Sequence, residues 1–390
     1  MAVNTLTFNQ VSALLNEIHD QATGQKTIAP VDTSEFVSVA TATLAAGYDP
    51  VLNAITQMVN RTIFSIRPYS RKFSGLQVDN QKFGAITRKL NIADKDFDND
   101  VSFQLVDGQA VDHYIVNKPE VLQTNFYGAN VFEKSYTIFK DQLDSAFEGP
   151  EQLGEFLSMI VSNASDMVEQ AHENLARATI ANFVGGKAVI GGESVIHLLT
   201  EYNALTGLSL TATSVYEPAN FKAFMQWVYS RIADISARMA ERSELYQVQV
   251  TGKPIKRHTP KEYQRMYLYA PAMAQINAMV MSNTFHADYL DSIGDAEAVT
   301  FWQDIKNPDS IDVTPSYLDV DGTIKVGAEQ NLSKVFGVIM DEEAAGYTVI
   351  NEWSATTPLN AKGGYWNTFL HFTDRFWNDY TEKGVVLFLD

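Results

Sequence analysis

The chain contains no cysteine. Disulfides, thiolate nucleophiles and cysteine-ligated zinc are therefore excluded. It has no apolar run of about 18 residues, so no membrane-spanning helix is expected. The opening MAVNTLTFNQ lacks a basic segment leading into an apolar core, so no secretory signal is expected. Basic residues are scarce: 29 Lys and Arg stand against 47 Asp and Glu, a formal net charge of −18. That balance argues against an electrostatic nucleic-acid binder, because phosphate contacts need clustered cations. It argues equally against docking on an anionic membrane. The sequence has no internal repeat and no low-complexity segment. The expectation is a soluble protein folded in a cytoplasm.

Motifs that carry chemistry are missing too, or fail at a defining position. Asp94, Asp96, Asp98 and Asp100 are spaced like the start of an EF-hand loop, but Asn99 stands where glycine belongs and Leu105 where glutamate belongs. A solvated or interface acidic tip is the better reading, with adventitious calcium as the alternative. His172-Glu173 opens like a zincin helix, but Ala176 occupies the second histidine's place. The GGK at 185–187 lacks the remaining phosphate-loop residues. No G-x-S-x-G is present, and the seven histidines are scattered. No catalytic residue, cofactor or metal site is assigned, and the chain is not expected to be an enzyme. The three N-x-S/T sequons carry no weight without a secretion signal.

What is present is apolar residue in quantity, 45% of the chain with only 19% charged, enough for a large core. The strongest pattern runs from 150 to 184. Leu153, Phe156, Leu157, Ile160, Val161, Met167, Val168 and Leu175 recur at threes and fours, one face of a helix. Ala178 continues that stripe, and Glu155, Asp166, Glu173 and Arg177 mark the opposite face. Pro150 and Glu151 suit a first turn, and Gly185-Gly186 supplies a stop. Such a rod would be roughly 50 Å long. It reads either as an ordinary long core helix or as a spine along which a flat subunit is built.

Before it, residues 1–60 read as an arm with a short amphipathic helix after Thr7. A small-residue run, SVATATLAAGYDP, precedes a second helix with Asp49 at its N-cap and Pro50 at N1. Residues 61–130 lack the apolar residues for a core of their own. Their charge segregates: Arg67, Arg71, Lys72, Lys82, Arg88 and Lys89 come first, then the acidic run from Asp94 to Asp100. KFGAITRKLNI and DVSFQLVDG read as strands of an extended hairpin lying against something else. After the rod, VGGKAVIGGESVIHL is strand-like and residues 218–243 form a strong helix. RMYLYAP and KVFGVIMDEEA are buried strands, and DVDG at 319–322 is a hairpin turn. The C-terminus is rich in aromatics and closes with GVVLFLD, another buried strand. One compact basic loop holds Lys253, Lys256 and Arg257. It is a solvated loop or a contact for an acidic neighbour. The fold class is α+β.

Four stretches give this order of parts a family likeness. TFNQVSALLNEI is followed by SVATATLAAGYDPVLNAI. QKFGAITRKLNIADKDFD leads to VFEKSYTIFKDQLDSAFEGPEQLGEFLSMI. KVFGVIMDEEA and NAKGGYWNTFLHFTDRFWNDYTEKGVVLFL complete the set. The chain resembles the major capsid proteins of tailed double-stranded DNA phages, a fold shared with herpesvirus capsid floors and encapsulins. The likeness is greatest to short-tailed phages with small genomes. The resemblance implies an N-terminal arm (1–60), an E-loop hairpin (61–130), a peripheral domain (131–205 and 351–390) carrying the spine helix, and an axial domain (206–350). It also implies hexamers and pentamers in an icosahedral shell, virion location after assembly in host cytoplasm, a portal at one vertex and a separate scaffolding protein. The shell would enclose double-stranded DNA without sequence-specific binding or any membrane. The charged residues of the hairpin and of the 253–257 loop are then expected inter-subunit contacts. Two alternatives stand beside this: an encapsulin-like compartment of the same fold, and an acidic cytosolic enzyme.

Overall fold

The structure is a computed structural model. It describes residues 8–26, 30–63, 72–78, 86–95, 107–108, 114, 116, 118–127, 130–281 and 296–390. Its longest element is α5, Pro150–Ile190, 41 residues and about 60 Å from end to end. Pro150 sits at the start and Glu151 in the first turn, as the dipole favours. The helix does not stop at Gly185-Gly186. It continues to Ile190 and ends at Gly191, whose φ of 68° is glycine territory. The paired glycines serve close packing instead. A Cβ on Gly185 would collide with Val313, and one on Gly186 with the ring of Tyr380. The expected strand at 184–198 is accordingly the helix's last turns, and only Val195–His197 forms β4.

This rod passes through two cores in series. Leu153, Phe156, Leu157, Ile160 and Val168 are buried against three helices, α1 (Phe8–Thr23), α2 (Thr33–Ala45) and α3 (Tyr48–Ile63). Val11, Leu15, Phe36, Val51 and Ile55 supply their side of that core. Helices α1, α2 and α3 thus fold on their own subunit, although residues 1–60 read as an arm in the sequence. The small-residue run is helix α2, started by Asp32, whose side chain accepts the Glu35 backbone N–H. Asp49 is not an N-cap; it lies in the first turn of α3 and accepts the indole N–H of Trp366 at 2.7 Å. Further along, Leu175, Ile180, Phe183 and Val184 enter a second core with Phe73, Tyr347, Tyr380 and Val386. Met167 is partly buried, and the Val161 side chain lies outside the described residues. The expected polar face is only half right. Ala178 is exposed, whereas Glu173 and Arg177 are buried as an ion pair, with Arg177 stacked 3.7 Å over Phe301.

Two principal sheets complete the body. The first is antiparallel, β12 (Ala345–Thr356), β13 (Tyr365–Asn378) and β3 (Asn130–Phe139), in that order. Trp366, Leu370 and Phe372 project from it into the first core, and α4 (Lys140–Ala146) links β3 to the rod. The second has the order β4–β14–β11–β5–β6, with β14 at Gly384–Phe388, β11 at Val335–Asp341, β5 at Gln264–Tyr269 and β6 at Glu297–Val299. Its central strands are buried throughout, which is why they read as unbroken apolar runs. One face meets α5. The other meets α6 (Leu198–Thr206) and α7 (Pro218–Ala240), which contribute Leu199, Phe224, Val228, Ile232 and Ile235. α8 (Ala270–Met281) follows β5. Small pairs, β7 (Ile311–Val313) with β10 (Gln330–Leu332) and β8 (Ser316–Leu318) with β9 (Ile324–Val326), lie along the end of the rod.

The Tyr380 hydroxyl, which donates at 3.0 Å to the Asn182 carbonyl, lies where Gly186 leaves room. Gly186→Ala should therefore lower stability by about 1–3 kcal/mol despite alanine's better helix propensity. Chemical denaturation checks this, and a midpoint at or above the parent's would refute the close-packing role.

Candidate assembly interface

Strand β1 (Ile86–Ile92) pairs antiparallel with β2 (Val121–Tyr127), register Ile86↔Tyr127 to Ile92↔Val121. Among the described residues no third strand joins them. Period-two alternation places Arg88, Leu90 and Ile92 on the outer face. Leu90 is 61% exposed, Ile92 66% and Val121 44%. These apolar side chains stand on the face of the hairpin turned away from the body. A groove of about 440 Å³ opens beside it, lined by Phe126, Leu318, Ile324, Trp377 and Tyr380 among others.

The inner face is attached to the body by charge. Lys89 reaches Glu382 at 2.6 Å, Glu343 at 2.8 Å and Asp379 at 3.1 Å. These carboxylates come from two turns knitted together: the Asp379 N–H donates to the Ala344 carbonyl at 2.7 Å and the Asp341 N–H to the Lys383 carbonyl at 2.9 Å. Burial opposes the Lys89 charge, but Asp379, Glu382 and the bond to Glu343 override it, so its pKa lies above the ordinary lysine value. Burial also pushes the Glu382 carboxyl up, against the attraction of Lys89 and Arg257. Arg257 adds a contact to Glu382 at 3.0 Å. Further along the hairpin, Asp94 accepts from Arg242 at 2.5 Å and from the Lys256 backbone N–H at 2.5 Å. Its own N–H donates to the Pro254 carbonyl at 2.7 Å. Lys253 donates to the Val121 carbonyl at 3.1 Å.

Of the expected inter-subunit residues, Lys89, Asp94, Lys253, Lys256 and Arg257 thus converge on contacts within their own chain. The reason is that β1 faces the 253–257 loop across one edge of the body. Lys72 and Arg88 point to solvent. Arg67, Arg71, Lys82, Asp96, Asp98 and Asp100, with most of the second expected strand at 100–108, lie outside the described residues. Sequence reasoning missed Arg242, Glu343, Asp379 and Glu382. The last three sit in acidic turns, DEEA and DYTEK, but nothing local pairs them with a lysine some 250 or more positions earlier.

His172 is buried against Tyr347 and Phe372, with Nε2 3.7 Å from Glu352 and 3.9 Å from Asp374. Among the described residues no three metal-ligating side chains converge, and no helix is long and apolar enough to cross a membrane.

Lys187, on α5 beneath the carboxylate bed, is fully buried and donates to the Tyr246 carbonyl at 2.9 Å. Burial lowers its pKa to about 7, against the pull of Asp379 and Glu382. The unfolded chain keeps this proton up to about pH 10, so between about 7 and 10 unfolding takes up a proton and stability rises with pH. Lys383, lowered to about 8 by burial, acts in the same direction. Lys89, with its pKa raised, contributes fully throughout that window. The denaturation midpoint should climb between pH 7 and 9.5, and Lys187→Met should remove most of the climb. An unchanged slope in the variant would show that Lys187 stays charged in the fold.

The comparisons with known proteins agree with this geometry. The family described as Phi29-like phage major capsid protein matches residues 11–387. Among solved structures, the capsid of Staphylococcus phage Andhra aligns with TM-score 0.55 and 10% identity, covering 82% of this chain and 84% of that one. The head fiber and inner core protein structure of bacteriophage P68 aligns with TM-score 0.53 and 10% identity, covering 82% and 85%. At such identity these two show the fold alone. No curated protein matches. With the family match spanning nearly the whole of the α+β body and its hairpin, the chain belongs to the Phi29-like phage major capsid proteins and is a structural component of the virion.

Proposed function

We propose that copies of this chain form hexamers and pentamers that close into an icosahedral shell around double-stranded DNA. The observation that carries this reading is the β1–β2 hairpin, which leaves the body with Leu90, Ile92 and Val121 uncovered. One face of this hairpin rests on its own body and the other is open to a neighbour, and closed point-group symmetry lets one patch serve every copy. Residues 61–130 would be the E-loop, 131–205 with 351–390 the peripheral domain, and 206–350 the axial domain. Residues 1–60 would be an N-terminal region that folds back onto the spine. Lys72 and Arg88 remain candidates for contact with a neighbour. The net charge of −18 suits a container, since a wall that bound DNA tightly would hinder packing and release. Assembly in host cytoplasm, a separate scaffolding protein and a portal at one vertex belong to the same reading. Its mechanism is geometric, without a catalytic step.

Negative-stain microscopy of the expressed protein, with scaffolding protein added where needed, should show closed particles of uniform size. Leu90→Asp with Ile92→Asp should leave the melting curve unchanged, because both positions are exposed and such changes stay within about 0.5 kcal/mol. The same pair should abolish closed particles. Normal shells from this variant would remove the hairpin from the interface.

A further inference from the structure

We propose that the face of the β12–β13–β3 sheet turned away from the first core is a saccharide platform, with Trp353 as the plate on which a ring of a neutral polysaccharide stacks. The inference goes beyond the shell reading and rests on it only for where the polymer is met, at a cell surface outside the particle.

Strand alternation divides this sheet into two faces. Trp366, Leu370 and Phe372 of β13 enter the first core, so Phe369 and His371 stand on the other side. The register puts Trp353 of β12 opposite His371, with Glu133 of β3 on the far side of His371. The Trp353 and His371 ring centroids lie 4.1 Å apart at 18°, and Phe369 follows 6.4 Å from His371 at 22°. Three rings thus stand in file, close to parallel. His371 covers one face of the indole. Because β12 is an outer strand of its sheet, the opposite indole face looks past the edge, and Trp353 is 51% exposed. The next residues on the same side of β12 are Asn351 and Ala355, both exposed. Ala355 leaves room beside the indole for a ring, and Asn351 offers an amide.

The make-up of this face selects the ligand. The face of an indole carries negative potential, and the C–H groups of a pyranose ring are weakly positive, so the two stack, with dispersion added. The sugar hydroxyls then need donors and acceptors at the rim. Asn351 supplies both kinds and Glu133 an acceptor. Asn367 takes the Thr137 hydroxyl on Oδ1 at 2.7 Å, which fixes its amide with the N–H groups as the donor side. Single-stranded nucleic acid also stacks on aromatic rings, but it needs cations along its backbone. The alternate positions that form this face, within 131–139, 351–355 and 365–373, hold no Lys or Arg, and Glu133 would repel phosphate. Burial against a second copy would strip water from the hydroxyl and amide side chains that separate the rings. A surface of rings and amides without cations fits a neutral sugar polymer.

Titration calorimetry on the full-length chain, as subunits and as particles, tests this with cellohexaose, maltohexaose and chitohexaose as probes. At least one should bind both forms, with an affinity unchanged in molar salt because no ion pair takes part. Trp353→Ala should weaken that binding about tenfold or more, and Trp353→Phe by less, since a ring remains. Ala355→Tyr should also weaken it, by filling the space beside the plate while Trp353 stays in place. Trp353 is on the surface, so Trp353→Ala should melt with the parent and still form shells. Binding of none of the three probes would overturn the platform, as would binding that survives both Trp353→Ala and Ala355→Tyr. Binding by subunits but not by particles, or loss of shells in Trp353→Ala, would overturn it by giving this face to contact between copies. Salt-sensitive binding of oligothymidylate at Trp353 in place of the sugars would overturn it in favour of nucleic acid. A parent chain that forms no particles counts against the shell reading alone, since the subunit titration stands without assembly.

Discussion

The continuity of α5 governs the rest of the subunit. A single rod about 60 Å long runs through both cores, and the sheets at its two ends keep a fixed relation because both pack on it. That continuity depends on close approach. Val313 and Tyr380 come up against the helix backbone at Gly185 and Gly186, and any side chain there would hold them off. Each glycine costs the helix about 1 kcal/mol in propensity, offset by packing that the flush contact permits. The rod also carries charge inward where it must. Glu173 and Arg177 neutralise one another four residues apart, and Phe73 and Phe301 cover the guanidinium.

The hairpin obeys a different rule from the body it leaves. The body is held by burial of apolar surface, which is non-directional and strong in sum. The hairpin is held by a few ionic and backbone contacts along one edge and by Phe126 against Trp377, with Leu90, Ile92 and Val121 turned outward. Removing Lys89 would leave two nearly buried carboxylates, Asp379 and Glu382, without their main counter-charge, so this attachment is costly to break. The Asp94 contacts sit nearer water and are cheaper to exchange. The molecule is thus divided into an apolar body and a hairpin attached to it largely by charge.

Local pattern carried a good part of this. The rod, the amphipathic α7, the hairpin strand at 86–92 and the buried strands at 335–341 and 384–388 all announce themselves by period or by unbroken apolar runs. The end of the rod did not, because a glycine pair signals a stop equally well as a close contact. Helix α2 was hidden by small residues whose amphipathicity is weak. In the candidate interface, the cations and Asp94 were legible as charge segregation, yet their partners were not. Segregated charge says that something opposite is near, and only the chain's path says whether that is the same molecule.

Sequence alone determined that the molecule has no cysteine chemistry and that it holds a long helix, core-rich strands and a core-poor hairpin. These follow from composition and from periods of two and 3.6, which neighbouring residues impose on one another; the likeness to phage capsid proteins came from the resemblance of particular stretches. Tertiary structure decided which charges meet. Lys89 lies 254 positions from Glu343 and still further from Glu382 in the numbering, yet within hydrogen-bond reach of both. Contacts at that separation depend on how the two sheets dock along the rod, and no local rule encodes them.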